Sequence, residues 1–324
     1  MHALLGREAA VREQEERRGL AALLTGRRQG LGDLRLAAER HGVLGLLADD
    51  VAARALQSRG LRALKFTLRA VEAVEKAGIG CVVLKGSAAA TRWREPAARQ
   101  QSDLDLLVTR ADLKAATRAL IDAGVASHAF MAGDHIHNAS LLPAQPSGLM
   151  IELHHALNSN HEISVDVRQL INRRVHLESP QGKVPALTSE DDAAYLAMHA
   201  ATHAIGRLAW LVDLEGLGRA GVDWEEAAGR ARAWNVALPV ECAWREARAL
   251  LEVPIPDAAF RKLGTSAAQR AAIAALYRAT WATAGTAHVW LERAFRLSLV
   301  PPSDWPRLAV HKARARKEEQ DAYA

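Results

Sequence analysis

The pattern of hydrophobic and polar positions divides the chain into a helical start, a mixed middle and a helical end. Between residues 8 and 77, apolar residues recur mostly at three- and four-residue steps, which predicts several helices. Glycines near residues 30–32 and at Gly42 predict breaks between these helices. The last helix is expected to end at Gly78, because glycine commonly caps helix C-termini.

The middle of the chain carries short apolar runs that are typical of strands. Residues 81–84 are uncharged and predict a buried strand. A second strand follows Ser102, and in it Asp103 and Asp105 share one face because side chains alternate along a strand. A capping-box pattern at Thr109 opens a helix after this strand. Three further strands are predicted at 125–131, 135–142 and 149–155.

Beyond Pro185 the helical pattern returns. A second capping-box pattern begins at Thr188 and opens a helix. Further helices are predicted at 208–217, 224–234, 240–251 and from 260 to about 299. We therefore expect three parts, namely an N-terminal helical region at 1–78, a mixed core at 79–185 and a C-terminal helical domain with a basic tail at 186–324.

Composition narrows the class of protein. Of 324 residues, 49% are hydrophobic and 24% are charged, which is typical of a folded protein and disfavours disorder. No apolar run reaches the roughly 18 residues of a membrane span, and the first eight residues are too charged for a secretory signal. We expect a cytoplasmic protein with no membrane partner. Cys81 and Cys242 lie in apolar patterns, so we expect buried free thiols.

The net charge permits an anionic partner without requiring one. Lys and Arg number 42 against 37 Asp and Glu, which gives +5 and a pI near 9.5. Most basic residues are interleaved with acids, as on a solvated helix face. The least compensated cluster lies at 307–317, and RNA binding by this tail is the minor interpretation.

Acidic residues supply the first candidate chemistry. Asp103 and Asp105 on one strand face repel each other unless a cation joins them, and Mg²⁺ prefers carboxylate and phosphate oxygens. Glu152 stands among apolar residues of a later predicted strand, where an unpaired carboxylate would be costly to bury. A metal-nucleotide site explains all three acids.

A turn that begins with glycine supplies the second candidate chemistry, which is phosphate binding. Gly86 and Ser87 follow the first strand and can open a helix whose free N–H groups bind phosphate. Lys85 lies beside them, and Arg99 lies just ahead of the aspartates, where its guanidinium could bind a triphosphate in bidentate fashion. Either basic residue could instead be an ordinary surface residue.

Histidines are the weaker candidates. His154 shares a strand face with Glu152, which allows contact with the metal-binding carboxylates. A purely structural, hydrogen-bonded role is an equal alternative. His199 and His203 have the spacing of a zinc pair but lack the glutamate of that motif, so we expect them to line the acceptor side or to pack inside.

Several of these motifs together resemble a known family. They are Leu84-Lys85-Gly86, Trp93, Pro96, Arg99, the run 103–108, Ile151-Glu152-Leu153-His154 and the run 208–213. In this order they resemble the uncharacterised bacterial nucleotidyltransferases found beside natural-product and capsule gene clusters, a branch of the polymerase-β-like superfamily. The resemblance covers roughly residues 80–235. It implies an α+β fold, with a nucleotidyltransferase mixed sheet flanked by N-terminal and C-terminal helical regions.

The resemblance also implies a reaction. The enzyme would transfer an NMP group from an NTP, ATP among them, to a hydroxyl or similar group of a small-molecule or peptide acceptor, releasing pyrophosphate. Two Mg²⁺ ions, with Mn²⁺ as a substitute, would bind Asp103, Asp105 and Glu152, which are also the predicted catalytic residues. The predicted nucleotide-binding residues are Lys85, Gly86, Ser87 and Arg99, and His154 and His203 would support the metal site or the acceptor side.

Two alternatives stay open. In the first, the acceptor is a tRNA or other RNA end, as in the nucleotidyltransferase toxins. In the second, the chain is a non-catalytic module that binds a nucleotide or a partner protein.

Overall fold

A computed structural model describes residues 2–130, 138–157 and 165–281, together with 291, 293–295 and 297–299. Four expectations fall wholly or partly outside these residues. They are the basic tail at 307–317, the last residue of the strand predicted at 125–131, the first residues of the strand predicted at 135–142, and most of the helical stretch expected between 282 and 299.

The described chain forms two compact units. Residues up to Arg54 and the described residues from Ser189 to 299 form a helical unit, and Ala55–Thr188 form a sheet unit. The three-part division expected from the sequence stays a prediction. By contacts, the first 54 residues group with the C-terminal helices.

The sheet unit is built on a five-stranded mixed sheet in the order β1-β2-β5-β4-β3. Its strands are β1 (Val82–Leu84), β2 (Asp103–Leu107), β3 (Ala126–Phe130), β4 (Asn138–Pro143) and β5 (Met150–His154). Strands β2 and β5 are parallel, and the other neighbours are antiparallel. A separate hairpin consists of β6 (Val175–Ser179) and β7 (Gly182–Ala186). The helices of the unit are α4 (Val51–Lys76), which starts just before the boundary, α5 (Gly86–Ala90), α6 (Leu113–Asp122) and α7 (Val167–Asn172).

The alternation of β2 and β5 separates a hydrophobic face from a polar face, as the sequence predicts. The apolar residues of both strands are almost completely buried with α4 and α6. This core contains Leu104, Leu106, Ile151 and Leu153 from the strands, Val71 and Val74 from α4, and Ala116 and Leu120 from α6. The acids on the opposite face are thereby held at fixed positions by a closely packed core.

A close approach between α4 and the segment before β2 positions the start of that strand. A Cβ atom at Gly60 of α4 would lie 2.1 Å from the carbonyl oxygen of Ala97, so only glycine fits there. Beside this contact, Gln100 Nε2 donates a 3.0 Å hydrogen bond to the carbonyl of Leu56. The segment that leads into Asp103 is therefore fixed against a helix.

The helical unit is arranged around the helices that follow the sheet unit in sequence. They are α8 (Ser189–Thr202), α9 (Leu208–Ala220), α10 (Trp224–Ala233), α11 (Ala237–Leu251), α12 (Asp257–Leu263) and α13 (Ala267–Trp281). The N-terminal helices of the unit are α1 (His2–Leu24), α2 (Arg35–Arg40) and α3 (Leu44–Leu47). Trp244 is fully buried, with Trp224 and Phe260 packed edge-on against it. These tryptophans belong to the core, as their apolar surroundings in the sequence predict.

Three details depart from the sequence expectation or add to it. The β6–β7 hairpin and α7 were not predicted. The helical run expected from residue 260 is interrupted at Gly264, whose φ of +72° ends α12. Both cysteines are free thiols, but only Cys81 is fully buried and Cys242 is partly exposed. Among the described helices, none combines the length and the apolar character needed to cross a bilayer.

Candidate active site

Two carboxylates face each other across neighbouring strands at the centre of the sheet. In the parallel pairing of β2 with β5, Asp105 lies directly opposite Glu152. Asp103 points to the same face two residues earlier, because side chains alternate along a strand. Asp105 is 2% exposed, while the side chains of Asp103 and Glu152 are 27% and 24% exposed. The group thus has a buried centre and an accessible rim.

Lys85 brings a cation into this acidic group. Its Nζ lies 3.0 Å from Asp105 Oδ2 and 3.6 Å from Asp103 Oδ2. Lys85 follows β1, whose last residue, Leu84, pairs with Asp105. Its φ is +47° and its ψ is −148°, a conformation that favours glycine and costs a side-chain-bearing residue about 1–3 kcal/mol. The chain therefore accepts backbone strain where it directs the ammonium group at the two aspartates.

His154 joins the two strands from the other side. Its Nε2 lies 2.9 Å from Asp105 Oδ1 and 3.3 Å from Glu152 Oε2. The ring is nearly buried. Sequence analysis predicts only a supporting role for His154, whereas in the structure its ring bridges Asp105 and Glu152.

Burial and charge act against each other in this group. Burial raises the pKa of Asp105, but the hydrogen bond with His154 and the charge of Lys85 outweigh it and leave the pKa below its usual value. The hydrogen bond with His154 lowers the pKa of Glu152, whereas burial and the charge of Asp105 raise the pKa of Asp103. Burial favours the neutral imidazole of His154, but the two carboxylates raise its pKa to about 8.

Three of these side chains offer ligand atoms close enough together for one metal ion. The ligand atoms of Asp105, Glu152 and His154 all lie within 4.8 Å of one another. Asp103 is outside this group and contacts Lys85 instead. The structure therefore brings together two of the three predicted metal ligands and adds a histidine, while Asp103 stays two residues away on the same strand face.

The predicted phosphate-binding residues have internal contacts. Ser87 Oγ is 3.0 Å from Thr67 Oγ1 and 3.2 Å from Gln101 Oε1, and the serine is almost completely buried. Gly86 has a φ of +47°, and a Cβ atom there would lie 2.4 Å from Gln101 Oε1. Gln101 thus packs closely against the turn. The phosphate-binding roles of Gly86 and Ser87 stay predictions.

Arg99 is mostly buried beside the same turn. Its guanidinium lies 5.6 Å from the centre of the Trp93 ring and donates a hydrogen bond to the carbonyl of Gln100. A cation over an aromatic face is attracted to the ring's electrons, which orders this arginine. Its role in binding triphosphate stays a prediction.

His203 belongs to the helical unit. Its ring centre lies 4.7 Å from that of His199 and 5.4 Å from that of Trp210. The two histidines therefore contact each other within an aromatic cluster. The predicted position of His203 on the acceptor side of the site stays a prediction.

The comparison with known families decides the class of this protein. The family described as uncharacterised nucleotidyltransferase matches residues 50–252. The chain belongs to this family. It is therefore a nucleotidyltransferase, as the motif resemblance implies. The match includes Lys85, the aspartate pair and Glu152, so these four residues lie within the family region.

Comparisons with solved structures and with curated proteins do not narrow the function further. A crystal structure of an antigenic nucleotidyltransferase-like protein from Paracoccidioides brasiliensis is 16% identical in sequence and covers 62% of this chain and 93% of its own. Its TM-score against this chain is 0.38. No curated protein matches the sequence.

Sequence reasoning missed the partners that complete the group. The Lys85 contacts with the aspartates and the Gln101 contact with Ser87 depend on side-chain directions in the folded state. One signal was present, because Lys85 directly follows a buried strand that could pair with the aspartate strand. Nothing in the sequence marks Gln101 or Thr67 as partners of the turn.

Proposed function

We propose that this enzyme transfers an NMP group from an NTP to a hydroxyl, or a similar group, of a small-molecule or peptide acceptor, with release of pyrophosphate. The observation that carries the proposal is the pairing of Asp105 with Glu152 across two parallel strands, with Asp103 on the same face. Three carboxylates on one face of a sheet are the donor set that divalent cations and triphosphates use together.

The residues present fit a divalent cation. Carboxylate oxygens suit Mg²⁺ and Mn²⁺, and an imidazole nitrogen among the ligands favours Mn²⁺ over Mg²⁺. Asp103, Asp105 and Glu152 would hold two such ions, and His154 would supply a further ligand nitrogen. When bound, the ions supply charge that stabilises the attacking and leaving oxygens of the phosphoryl group.

The side chains of the enzyme have distinct parts in the proposed reaction. Glu152 is ionised at neutral pH, because its pKa lies below the usual value, and it can accept the proton of the acceptor hydroxyl. The acceptor oxygen then forms a bond to the α-phosphorus, and the bond from that phosphorus to the bridging oxygen breaks, so pyrophosphate leaves. Lys85 and Arg99 supply positive charge for the phosphates.

Label transfer tests this proposal without knowledge of the acceptor. Purified enzyme is incubated with Mg²⁺ or Mn²⁺, one α-³²P-labelled NTP at a time, and a cell extract separated into small molecules, peptides and RNA. We expect label in the small-molecule or peptide fraction and an equal amount of pyrophosphate. Removal of the metal by EDTA should abolish both.

A matched pair of variants identifies the site. Asp103→Asn should reduce label transfer by at least about 1000-fold, because it removes a charge required in the transition state. Asp122→Asn, at the exposed end of α6 in the same unit, should leave transfer unchanged. Label only in RNA would assign the acceptor to RNA instead. NTP binding that neither requires metal nor leads to transfer would indicate a non-catalytic module.

A further inference from the structure

The helical unit contains a large cavity that the proposed reaction does not use. It has a volume of about 730 Å³, within the range of small-molecule sites in proteins. One continuous face of α11 forms its floor, since the lining residues recur at three- and four-residue steps. They are Leu238, Glu241, Cys242, Arg245, Glu246, Ala249 and Leu250. The facing residues of α1 and α13 complete the walls.

The walls are mainly apolar. Ala21 and Ala22 of α1 face Ile273, Ala274 and the ring of Tyr277 on α13. Burial raises the pKa of the Tyr277 hydroxyl well above its usual value, which reflects scarce solvent at this side. An apolar body of moderate size would therefore be favoured inside.

Basic groups surround this apolar interior. Six arginines line the cavity against two glutamates, which gives a formal charge of +4. The arginines are Arg17, Arg18, Arg27, Arg245, Arg270 and Arg278. Glu241 is occupied by Arg245 at 2.5 Å and by Arg270 at 3.7 Å, and Arg27 contacts Glu252 outside the cavity.

Two of the cavity arginines have no acidic partner among the described residues. Within residues 2–130, 138–157 and 165–281, no ion pair or side-chain hydrogen bond is formed by Arg18 or Arg278. Both are exposed and belong to opposite walls, α1 and α13. Positive charge at both walls of an apolar cleft is complementary to a ligand with one anionic head.

We propose that this cavity binds an amphipathic organic anion, with its apolar body between α1, α11 and α13 and its carboxylate or phosphate head at Arg18 and Arg278. The proposal is independent of the nucleotidyl transfer proposed for the sheet unit. The occupant is a small molecule, because the charge excess and the apolar walls occur together around one half-open pocket.

Isothermal titration calorimetry with two probes of opposite charge tests the proposal. Decanoate has a ten-carbon chain and a carboxylate, and decyltrimethylammonium has the same chain with a cationic head. We expect decanoate to bind the full-length protein at one site and at least tenfold more tightly than decyltrimethylammonium. Equal binding of both probes, or no saturable binding of decanoate, would overturn the proposal.

Variants locate the binding. The double variant Arg18→Gln/Arg278→Gln should weaken decanoate binding at least tenfold. Arg12→Gln is the matched control, because Arg12 is on α1 but is exposed and does not line the cavity. Ala274→Trp should place an indole ring inside the cavity and weaken binding, with its fold checked by circular dichroism. If this variant fails to fold, the arginine variant, whose changes are on the surface, still shows whether decanoate binds in the cavity.

The oligomeric state provides the remaining test. The alternative occupant is a second copy of the chain. In that case the protein would sediment as a dimer, and decanoate would dissociate the dimer. That result, or unchanged affinity in Arg18→Gln/Arg278→Gln, would contradict the proposal. A monomer whose decanoate affinity falls in this variant, and not in Arg12→Gln, would support it.

Discussion

Lys85 holds its ammonium group against the two aspartates that are proposed to bind metal ions. Its Nζ is 3.0 Å from Asp105 and 3.6 Å from Asp103, and its strained backbone directs it there. A lysine in this position offsets one of the two negative charges of the aspartates. We expect a metal ion at this site to compete with the ammonium group, which would lower the affinity of the site for the ion.

Substitution of Lys85 tests this competition. Lys85→Met should raise the affinity for Mn²⁺ by about threefold or more, because the competing cation and its repulsion are lost. The same variant should lower label transfer by about tenfold or more, because the phosphates lose a positive charge. Electron paramagnetic resonance of free Mn²⁺ measures the affinity. Lys183→Met, from the exposed pair with Glu178, is the control. Weaker Mn²⁺ binding by Lys85→Met would contradict competition between the lysine and the metal ion.

A second residue-level prediction concerns Glu246. Burial raises the pKa of this carboxyl, although the charge of Arg17 and the Tyr277 hydroxyl act in the opposite direction. A raised pKa means that the ionised form costs stability above that pKa, and the cost disappears as the pH falls through it. Glu246→Gln should therefore raise the free energy of unfolding by roughly 1 kcal/mol at pH 8, and the gain should vanish near pH 4.

Urea denaturation across this pH range measures the effect. Glu39→Gln, an exposed position on α2, serves as the control and should show no such trend. A Glu246→Gln gain that stays constant with pH would show that charge is not its origin.

At the residue scale, the sequence predicts the shared face of Asp103 and Asp105, because strand alternation alone fixes it. It also indicates that Glu152 needs a partner, because an isolated acid in an apolar strand is costly. It could not predict that Ser87 would turn inward to Thr67 and Gln101. That contact depends on which helix packs against the turn, which a local pattern does not encode.

At the scale of elements, the contact between α4 and the segment before β2 carries a strong constraint. Alanine normally stabilises a helix interior relative to glycine by about 0.5–1 kcal/mol. At Gly60, however, the added methyl would meet the Ala97 carbonyl at 2.1 Å. Gly60→Ala should therefore lower the free energy of unfolding by about 2 kcal/mol.

Gly229→Ala in α10 is the matched control. The nearest atom to its added methyl is the flexible Lys262 side chain at 3.7 Å, so this variant should gain about 0.5–1 kcal/mol. Thermal unfolding measures both. Gly60→Ala should also reduce label transfer, because the segment that positions Asp103 must shift. Stabilisation by Gly60→Ala would disprove the close approach.

The elements that the sequence predicts are those with clear periodicity or caps. The β4–β5 hairpin follows from two apolar strands joined by a Pro- and Gly-containing turn, and α10 begins where Asp223 accepts hydrogen bonds from the N–H groups of Glu225 and Glu226. The β6–β7 hairpin was not predicted because most of β6 is exposed and its alternation of apolar and polar residues is weak. The break at Gly264 was overlooked within an otherwise helical pattern.

At the scale of the whole molecule, the two proposed ligands bind to different units. Hydrogen exchange can distinguish the two binding sites, because exchange reports local opening segment by segment. Mg²⁺ with NTP should slow exchange about tenfold in β2 and β5, and decanoate should do so in α11 and α13. Mass spectrometry of peptic fragments measures this. Protection of both regions by decanoate alone would contradict separate sites.

The helical unit is discontinuous in sequence, since roughly 130 residues of sheet unit separate its two parts. During synthesis at about 5–20 residues per second, the first helices leave the ribosome roughly 7–27 s before α8 begins to appear. For that interval Leu20 and Ala21 of α1, buried in the finished protein, still lack the later helices of their unit. The sheet unit can form first, and we expect the amino-terminal helices to complete their packing only after the later helices of their unit have been synthesised.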